Sequence, residues 1–513
     1  MWTPSRGGFR AVLLALILVQ SVILGVSYVD ATSTEGIPPD EPGNATPGNG
    51  TDTPTEPRPF NGTINLQPRL DSGEFDESLD PDGQVTVVAT QGFYIADEEA
   101  ELFAIDRRGE IIYYEDQYRV YFDVDPLEGS KHTIEYVAAK HFDGDDEECA
   151  EIGYKCSRNV LNRVNLSTGE FEQVYAKITP WHGNKRWHDI DRINDTHVVI
   201  ADIVRDEVRI VDVEADETVA KWSATQTYDD DQGRGRHSGD WTHVNDVEIL
   251  PDGRIMASIR NMDEVIFLER EGDTLTVNES WTLGNGDHDV LYEQHNPDYI
   301  PASRGGPAVI VGDSENERIL EFHRENGSWE RAWGWRDERL QWPRDADRLP
   351  SGLTLVVDSH GDRVLEVTPD GDSRWTVEVG MPYDVERLGT GDESTGGYAI
   401  GAIPPGRAYG PPANGSGNGT DTNETGAIVN PDQGAIDRVI LGLKDLIPSV
   451  WLNSVLYVSP GWIRFTDLLF LFGTVLTGLA LGVSEFWHSR FSVRRGLGRI
   501  RSAAAARLSG HRQ

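Results

Sequence analysis

One six-residue pattern recurs down the middle of the chain: FDVDPL at 122–127, HDIDRI at 188–193, NDVEIL at 245–250, HNPDYI at 295–300, RDADRL at 344–349 and YDVERL at 383–388. After most copies comes a turn such as PDG (251–253) or PSG (350–352). Two apolar strands follow, as in RIMASI and EVIFLE or LTLVVD and RVLEVT, and a strand bearing Trp222, Trp281, Trp333 or Trp375 closes the unit. Short alternating strands joined by Asp-Gly turns are antiparallel sheet. Starts about 40–65 residues apart suit four-stranded propeller blades. The last copy has too little chain after it to complete a unit, and strands expected at 84–89, 92–96, 101–105 and 111–114 supply the missing ones. The expected fold is therefore all-β, a six-bladed β-propeller closed by both ends of the chain; seven blades result if the N-terminal strands stand alone.

The pattern begins each innermost strand, so its first residue should point at the central channel. That column diverges: Phe122, His188, Asn245, His295, Arg344, Tyr383. The next column is nearly constant (Asp123, Asp189, Asp246, Asn296, Asp345, Asp384), as expected of carboxylates that bind strand N–H groups and turns. The variable column is the functional candidate. His188, His243, His295 and Arg260 converge on one end of the channel, with Asn245 beside His243: two residues apart on a strand share a face. Arg260 ends the neighbouring strand, and an antiparallel hairpin returns it to the rim. Arg344 is a further anion-binding candidate, with Asp189 or Asp345 as alternative partners. His237, His288 and His360 read as surface loop residues.

Trp241 to Arg260 reads WTHVNDVEILPDGRIMASIR, and its H-x-N pair followed by an arginine resembles the sulfuryl-binding motif of the aryl sulfotransferase (ASST-type) family. Gln294-His295 resembles the family's nucleophile segment and His188-Asp189-Ile190 its upstream His-Asp-Ile. The resemblance spans roughly 85–400 and is that of a haloarchaeal, membrane-anchored member. It implies transfer of a sulfuryl group from an aryl sulfate to a phenol through a sulfohistidine on His295. His243 and His188 are then catalytic, and Arg260, Asn245 and Arg344 bind the sulfuryl group. Such a transition state is loose, with charge on its outer oxygens, by analogy with phosphoryl transfer. A guanidinium grips two oxygens where a lysine is a point charge, and an imidazole suits both attack and proton transfer. No cofactor and no metal are expected, and no G-x-x-x-x-G-K-[ST] loop occurs. The expected partners are a small aryl sulfate and a phenol.

Two rival readings keep the fold. A non-catalytic cell-surface receptor or binding module needs no histidine cluster. A quinoprotein-like dehydrogenase needs a metal and tryptophans facing the channel, whereas these tryptophans recur on outer strands.

Charge and hydropathy place the chain in its surroundings. Net charge is −40 and only seven of 46 basic residues are lysine, a surface suited to roughly molar salt, where the Debye length is about 3 Å. Its 14 Trp, 16 Tyr and 15 Phe exclude an acidic disordered chain, and the lack of a basic groove argues against nucleic acid. Cys149 and Cys156 are close enough in sequence for an extracellular disulfide. Apolar runs at 11–28 and 466–483 read as an uncleaved anchor, with a cleaved signal as the alternative, and a membrane span. Seven arginines follow the second run, which places both termini in the cytoplasm and the propeller outside. Ten N-x-S/T sequons support a glycosylated exterior. The expected layout is a terminus and anchor at 1–29, a tether at 30–80, the propeller at 81–404 and a second tether at 405–435. An interfacial helical region at 436–465, a span at 466–484 and a basic tail at 485–513 complete it.

Overall fold

The computed structural model describes residues 6–32, 74–75, 85–92, 100–106, 109–180, 186–233, 240–404, 428–429, 435–460 and 463–509. His237, Trp462 and most of both tethers, with sequons Asn44, Asn49, Asn61, Asn414, Asn418 and Asn423, lie outside them. The chain forms two compact units, Pro38–Gly461 and Met1–Ile37 with Trp462–Gln513.

In the larger unit every copy of the repeated pattern is a strand: β1 (Val120–Pro126), β2 (Trp187–Arg192), β3 (Val244–Ile249), β4 (His295–Ile300), β5 (Pro343–Arg348) and β6 (Pro382–Arg387). Each opens a run of antiparallel strands. The run of β6 is built from the chain's other end, Val385 pairing with Val88 of Thr86–Thr90, followed by Leu102–Ile105 and Ile111–Glu115. The strand expected at 92–96 falls almost entirely outside the described residues. The runs of β2 and β3 share one eight-stranded sheet through a single parallel pair, Lys221 and Thr274. The six first strands touch in the order β1, β2, β3, β4, β5, β6 and back to β1. The arrangement is β-propeller-like.

The packing explains why second strands read as unbroken apolar runs. Ile255–Ile259 and Thr354–Asp358 are buried along their whole length because a neighbouring run covers each face. One apolar cluster, for example, joins Val88 and Phe103 to Leu355, Val357 and Trp375. Trp222, Trp333 and Trp375 lie on fourth strands as expected, whereas Trp281 ends a short 3₁₀ turn after Thr274–Val277. The indole N–H groups of Trp333 and Trp335 donate to the Pro369 and Gly371 carbonyls, both at 3.0 Å, tying one run to the turn of the next.

Each first strand carries a register shift near its start. Partners jump across Phe122 and Asp123 in β1, His188 in β2, Asn245 in β3, Asn296 and Pro297 in β4, Arg344 in β5 and Tyr383 in β6. A bulge frees a residue from the ladder and re-aims its side chain, so five of the six divergent residues are released at one end of the ring, while in β4 the skip falls just after His295, which stays paired with Gly312. The aspartates after it strap neighbours together. Asp384 accepts from the Val124 N–H at 2.8 Å, Asp123 from Ile190 at 3.2 Å, Asp345 from Val385 at 3.2 Å, and Asp189 from Val247.

Two helices, α1 (Arg6–Thr32) and α4 (Phe465–Ser509), belong to the smaller unit. Only Phe465–Trp487 is long and apolar enough by itself to cross a membrane among the described residues; the apolar stretch Arg10–Val26 is shorter than such a span, where the sequence suggests two crossings. Arg10 pairs with Glu485 at 2.9 Å, and Thr474 bonds Gln20 at 3.3 Å. Two short helices, which we call α2 (Ala435–Lys444) and α3 (Ser449–Tyr457), belong to the larger unit and bend 96° at their break. Their inner face is held by buried polar contacts. Lys444 pairs with Glu317 at 3.1 Å, and Asn453 bonds Gln341 and, at 2.8 Å, Glu315. Their outer face exposes Ile436, Val439, Leu446 and Trp451. Cys149 and Cys156 form a disulfide.

Candidate active site

The released residues meet at one mouth of the ring. His188 stacks on Phe122 with centroids 4.2 Å apart and lies 5.1 Å from the His243 ring. Tyr383 stands 4.7 Å from Phe122, 6.1 Å from His188 and 6.2 Å from His295. The Arg344 guanidinium lies over Trp342 at 4.1 Å and over Tyr383 at 4.6 Å. His243, Trp342 and Met381, which precede β3, β5 and β6, have φ of 51°, 54° and 45°. Non-glycine residues in that region carry strain that concentrates at functional sites.

A continuous set of hydrogen bonds links the three elements that carry His243, Arg260 and His295. Asp240 meets His243 Nδ1 at 2.7 Å, and Arg260 Nη1 meets His243 Nε2 at 3.1 Å. Arg260 Nε and Nη2 hold Glu293 at 3.2 and 2.5 Å. The Glu293 carbonyl meets His295 Nδ1 at 3.1 Å, and Ser314 Oγ meets it at 2.8 Å. Partner chemistry fixes both rings. A guanidinium only donates, so His243 Nε2 carries a lone pair and Nδ1–H faces the carboxylate. A carbonyl only accepts, and Ser314 Oγ donates onward to the Pro343 carbonyl at 2.6 Å. His295 therefore holds its proton on Nδ1, and its Nε2 lone pair makes no hydrogen bond with the described residues.

Burial sets the protonation of these rings. Desolvation, with the nearby Arg344 and Arg260, holds His295 well below the usual imidazole range. His188 is pushed the same way by desolvation and His243. His243 is lowered by desolvation and Arg260, with Asp240 pulling against them. Arg344 is brought down to about 10, chiefly by burial, with Arg260 and Arg186 acting the same way.

Several expectations need correcting. Arg260 does not present an open fork: Glu293 occupies its Nε–Nη2 edge. Asn245 donates to the Gln294 carbonyl at 3.0 Å, so its amide N–H positions the β4 start. Arg344 pairs with neither Asp189 nor Asp345; it bonds Gln91 and stacks between two rings. No carboxylate contacts Arg344 among the described residues; a second buried guanidinium at this mouth, Arg186, lies over the Phe122 ring at 5.1 Å and meets His141 Nε2 at 3.1 Å. His360 is buried against Trp342 at 4.5 Å rather than on the surface, whereas His288 is exposed and pairs with Asp263 at 3.0 Å. The reading missed Asp240, Glu293 and Ser314, and the Trp342–Tyr457 contact at 5.9 Å that brings α3 to the mouth. Asp240, three residues before His243, was the one with a local signal.

Residues 82–320 match the arylsulfotransferase (ASST) family. The match supports that family and, in general terms, an aryl sulfotransferase-type enzyme. It contains His188, His243, Asn245, Arg260 and His295 and ends before Arg344. No curated protein matches the chain. Among solved structures, a putative 6-phosphogluconolactonase from Bacteroides fragilis is 10% identical, covering 60% of this chain and 99% of its own, with a TM-score of 0.40. The periplasmic gluconolactonase PpgL of Pseudomonas aeruginosa is 12% identical over 60% and 99%, with a TM-score of 0.37. Virginiamycin B lyase from Staphylococcus aureus is 9% identical over 51% and 71%, with a TM-score of 0.30.

Proposed function

We propose that the protein moves a sulfuryl group from an aryl sulfate to a phenol through a sulfohistidine on His295, within a six-bladed propeller. The observation that carries this reading is the bare Nε2 of His295, its lone pair fixed by Glu293 and Ser314, beside the carboxylate-free guanidinium of Arg344. In the first half, Nε2 attacks sulfur, the N–S bond forms and the S–O(aryl) bond breaks. The departing phenolate takes a proton from the imidazolium form of His243, which Asp240 and the bound ester's negative charge favour once Arg260 turns its Nη1 from Nε2 to the ester. In the second half, an incoming phenol gives its proton to His243 Nε2 while its oxygen attacks sulfur and the N–S bond breaks. Atoms and charge balance over the two halves, and His243 ends as it began.

Arg344 holds the sulfuryl oxygens, with Arg260 as a second donor that also orients His243. His188, stacked on Phe122, forms the wall behind the aryl group and is a further imidazole beside His243. Asn245 sets the β4 strand on which His295 sits. The exposed apolar face of α2 and α3, followed eight residues later by α4, supports a membrane-anchored protein, and the arginines that follow the apolar run support a ring on the outer side with both termini inside. The acidic composition supports a salt-adapted cell.

The test is release of nitrophenol from p-nitrophenyl sulfate by the full-length protein in high salt. Release that depends on added phenol and disappears in His295→Ala, with the fold intact, is the expected result. Undiminished turnover in that variant removes His295 as nucleophile, and no turnover with any aryl sulfate favours a binding module.

A further inference from the structure

Below the mouth the first strands carry a second feature. In all six copies of the pattern the fourth residue is also acidic: Asp125, Asp191, Glu248, Asp298, Asp347 and Glu386. With the second-position column this makes two tiers of six, every side chain a carboxyl except Asn296. Residues of both tiers line one buried cavity, and among the described residues no lysine or arginine lines it. Straps to backbone N–H groups account for part of the upper tier. They do not neutralise it, because an amide N–H carries no net charge.

Asp298, Asp345 and Asp347 lie closest together, each offering a carboxylate oxygen within 4.8 Å of the others. Their own contacts leave acceptors over. Asp298 accepts from Ser394 Oγ at 2.6 Å and Asp345 from the Val385 N–H, but Asp347 Oδ2 has no partner. Two neutral side chains point to what fills the gap. Asn245 and Asn296 are buried, line the same cavity, and leave Oδ1 without a hydrogen bond. Their Nδ2 atoms are committed to the Gln294 carbonyl at 3.0 Å and to Asp384 at 3.4 Å, so the amides cannot be turned over. Orphaned amide oxygens beside clustered carboxylates form an all-oxygen donor set, the set that hard cations take in six- to eightfold coordination.

We propose that the channel holds a divalent cation of the calcium class, with Asp298, Asp345 and Asp347 as its charged ligands and the Asn245 and Asn296 amide oxygens facing it. The cation ties β3, β4 and β5 to one point. Those strands carry Asn245, His295 and Arg344, so the ion fixes the floor of the mouth. Its role is structural, and the proposal stands whether or not the sulfuryl reading holds.

The experiment uses the full-length protein in detergent, stripped with a chelator and held in constant high KCl. Elemental analysis after exposure to CaCl2 and gel filtration is expected to give one calcium per chain. The melting temperature is expected to rise saturably with CaCl2, with MgCl2 much weaker. In Asp347→Asn the apparent calcium affinity falls about tenfold or more. Wild-type protein that retains no stoichiometric divalent metal, and melts at one temperature with and without calcium, overturns the proposal. So does a melting temperature that follows K+ alone. The wild-type metal content decides the matter even if the variant does not fold.

Discussion

His243 sits between opposing neighbours: Arg260 on Nε2 disfavours its proton, and Asp240 on Nδ1 favours it. Replacing Asp240 with Asn removes only the second. The pKa of His243 then falls further, so the imidazolium proposed to protonate the leaving phenolate becomes scarcer. The expected result is a kcat lower by roughly 10²–10⁴, with the pH at which rate is lost on the alkaline side moving down; a pH–rate profile of Asp240→Asn checks both. Arg344 acts by shape as well as charge, lying flat on Trp342 and Tyr383. Arg344→Lys keeps the charge and loses the stacking and the fork, so kcat/KM should fall by about 10²-fold, measured with p-nitrophenyl sulfate. His188, His295 and Arg344 were legible from the repeated pattern because each copy marks an equivalent place in the ring, and His243 and Arg260 from their spacing around Asn245. Their partners were not. Glu293 and Ser314 reach His295 through loop and strand ends that carry no periodic signal, and only coordinates reveal that Glu293 closes one edge of Arg260.

The strands were legible as elements because turn chemistry and apolar runs alternate so regularly. The bulges were not: partner skipping at His188, Asn245, Arg344 and Tyr383 depends on pairing geometry, and composition gives no hint of it. The segment 436–465 reads as interfacial from its apolar residues, yet its buried inner face sets the polar Lys444 and Asn453 among Leu441, Leu452 and Leu456. Asn453 holds α3 to Gln341 and Glu315, and Tyr457 follows against Trp342. Asn453→Ala strands two buried partners and should cost about 1–3 kcal/mol, seen as a lower urea midpoint. With α3 loosened, turnover of bulky phenols should rise relative to phenol itself, which a comparison of acceptor series on the variant checks.

Across the whole molecule, closure joins residues some 300 apart in the chain, since Thr86 pairs with Arg387. The shortage of chain after the last copy made this mixing of ends legible. Charge acts at the same level. A net charge of −40 repels itself over a long Debye length. The melting temperature should therefore climb as KCl rises from about 0.1 M, where the Debye length is about 10 Å, to about 1 M, where it is about 3 Å; a salt series by scanning calorimetry checks it. The central claim is chemical, and a trapped intermediate tests it most directly. Full-length protein mixed with an aryl sulfate and no phenol, quenched in alkali and digested, is predicted to carry one sulfuryl group on the imidazole of His295, discharged when phenol is added before the quench. A sulfuryl group on another residue, or steady turnover with His295 never modified, would contradict the account.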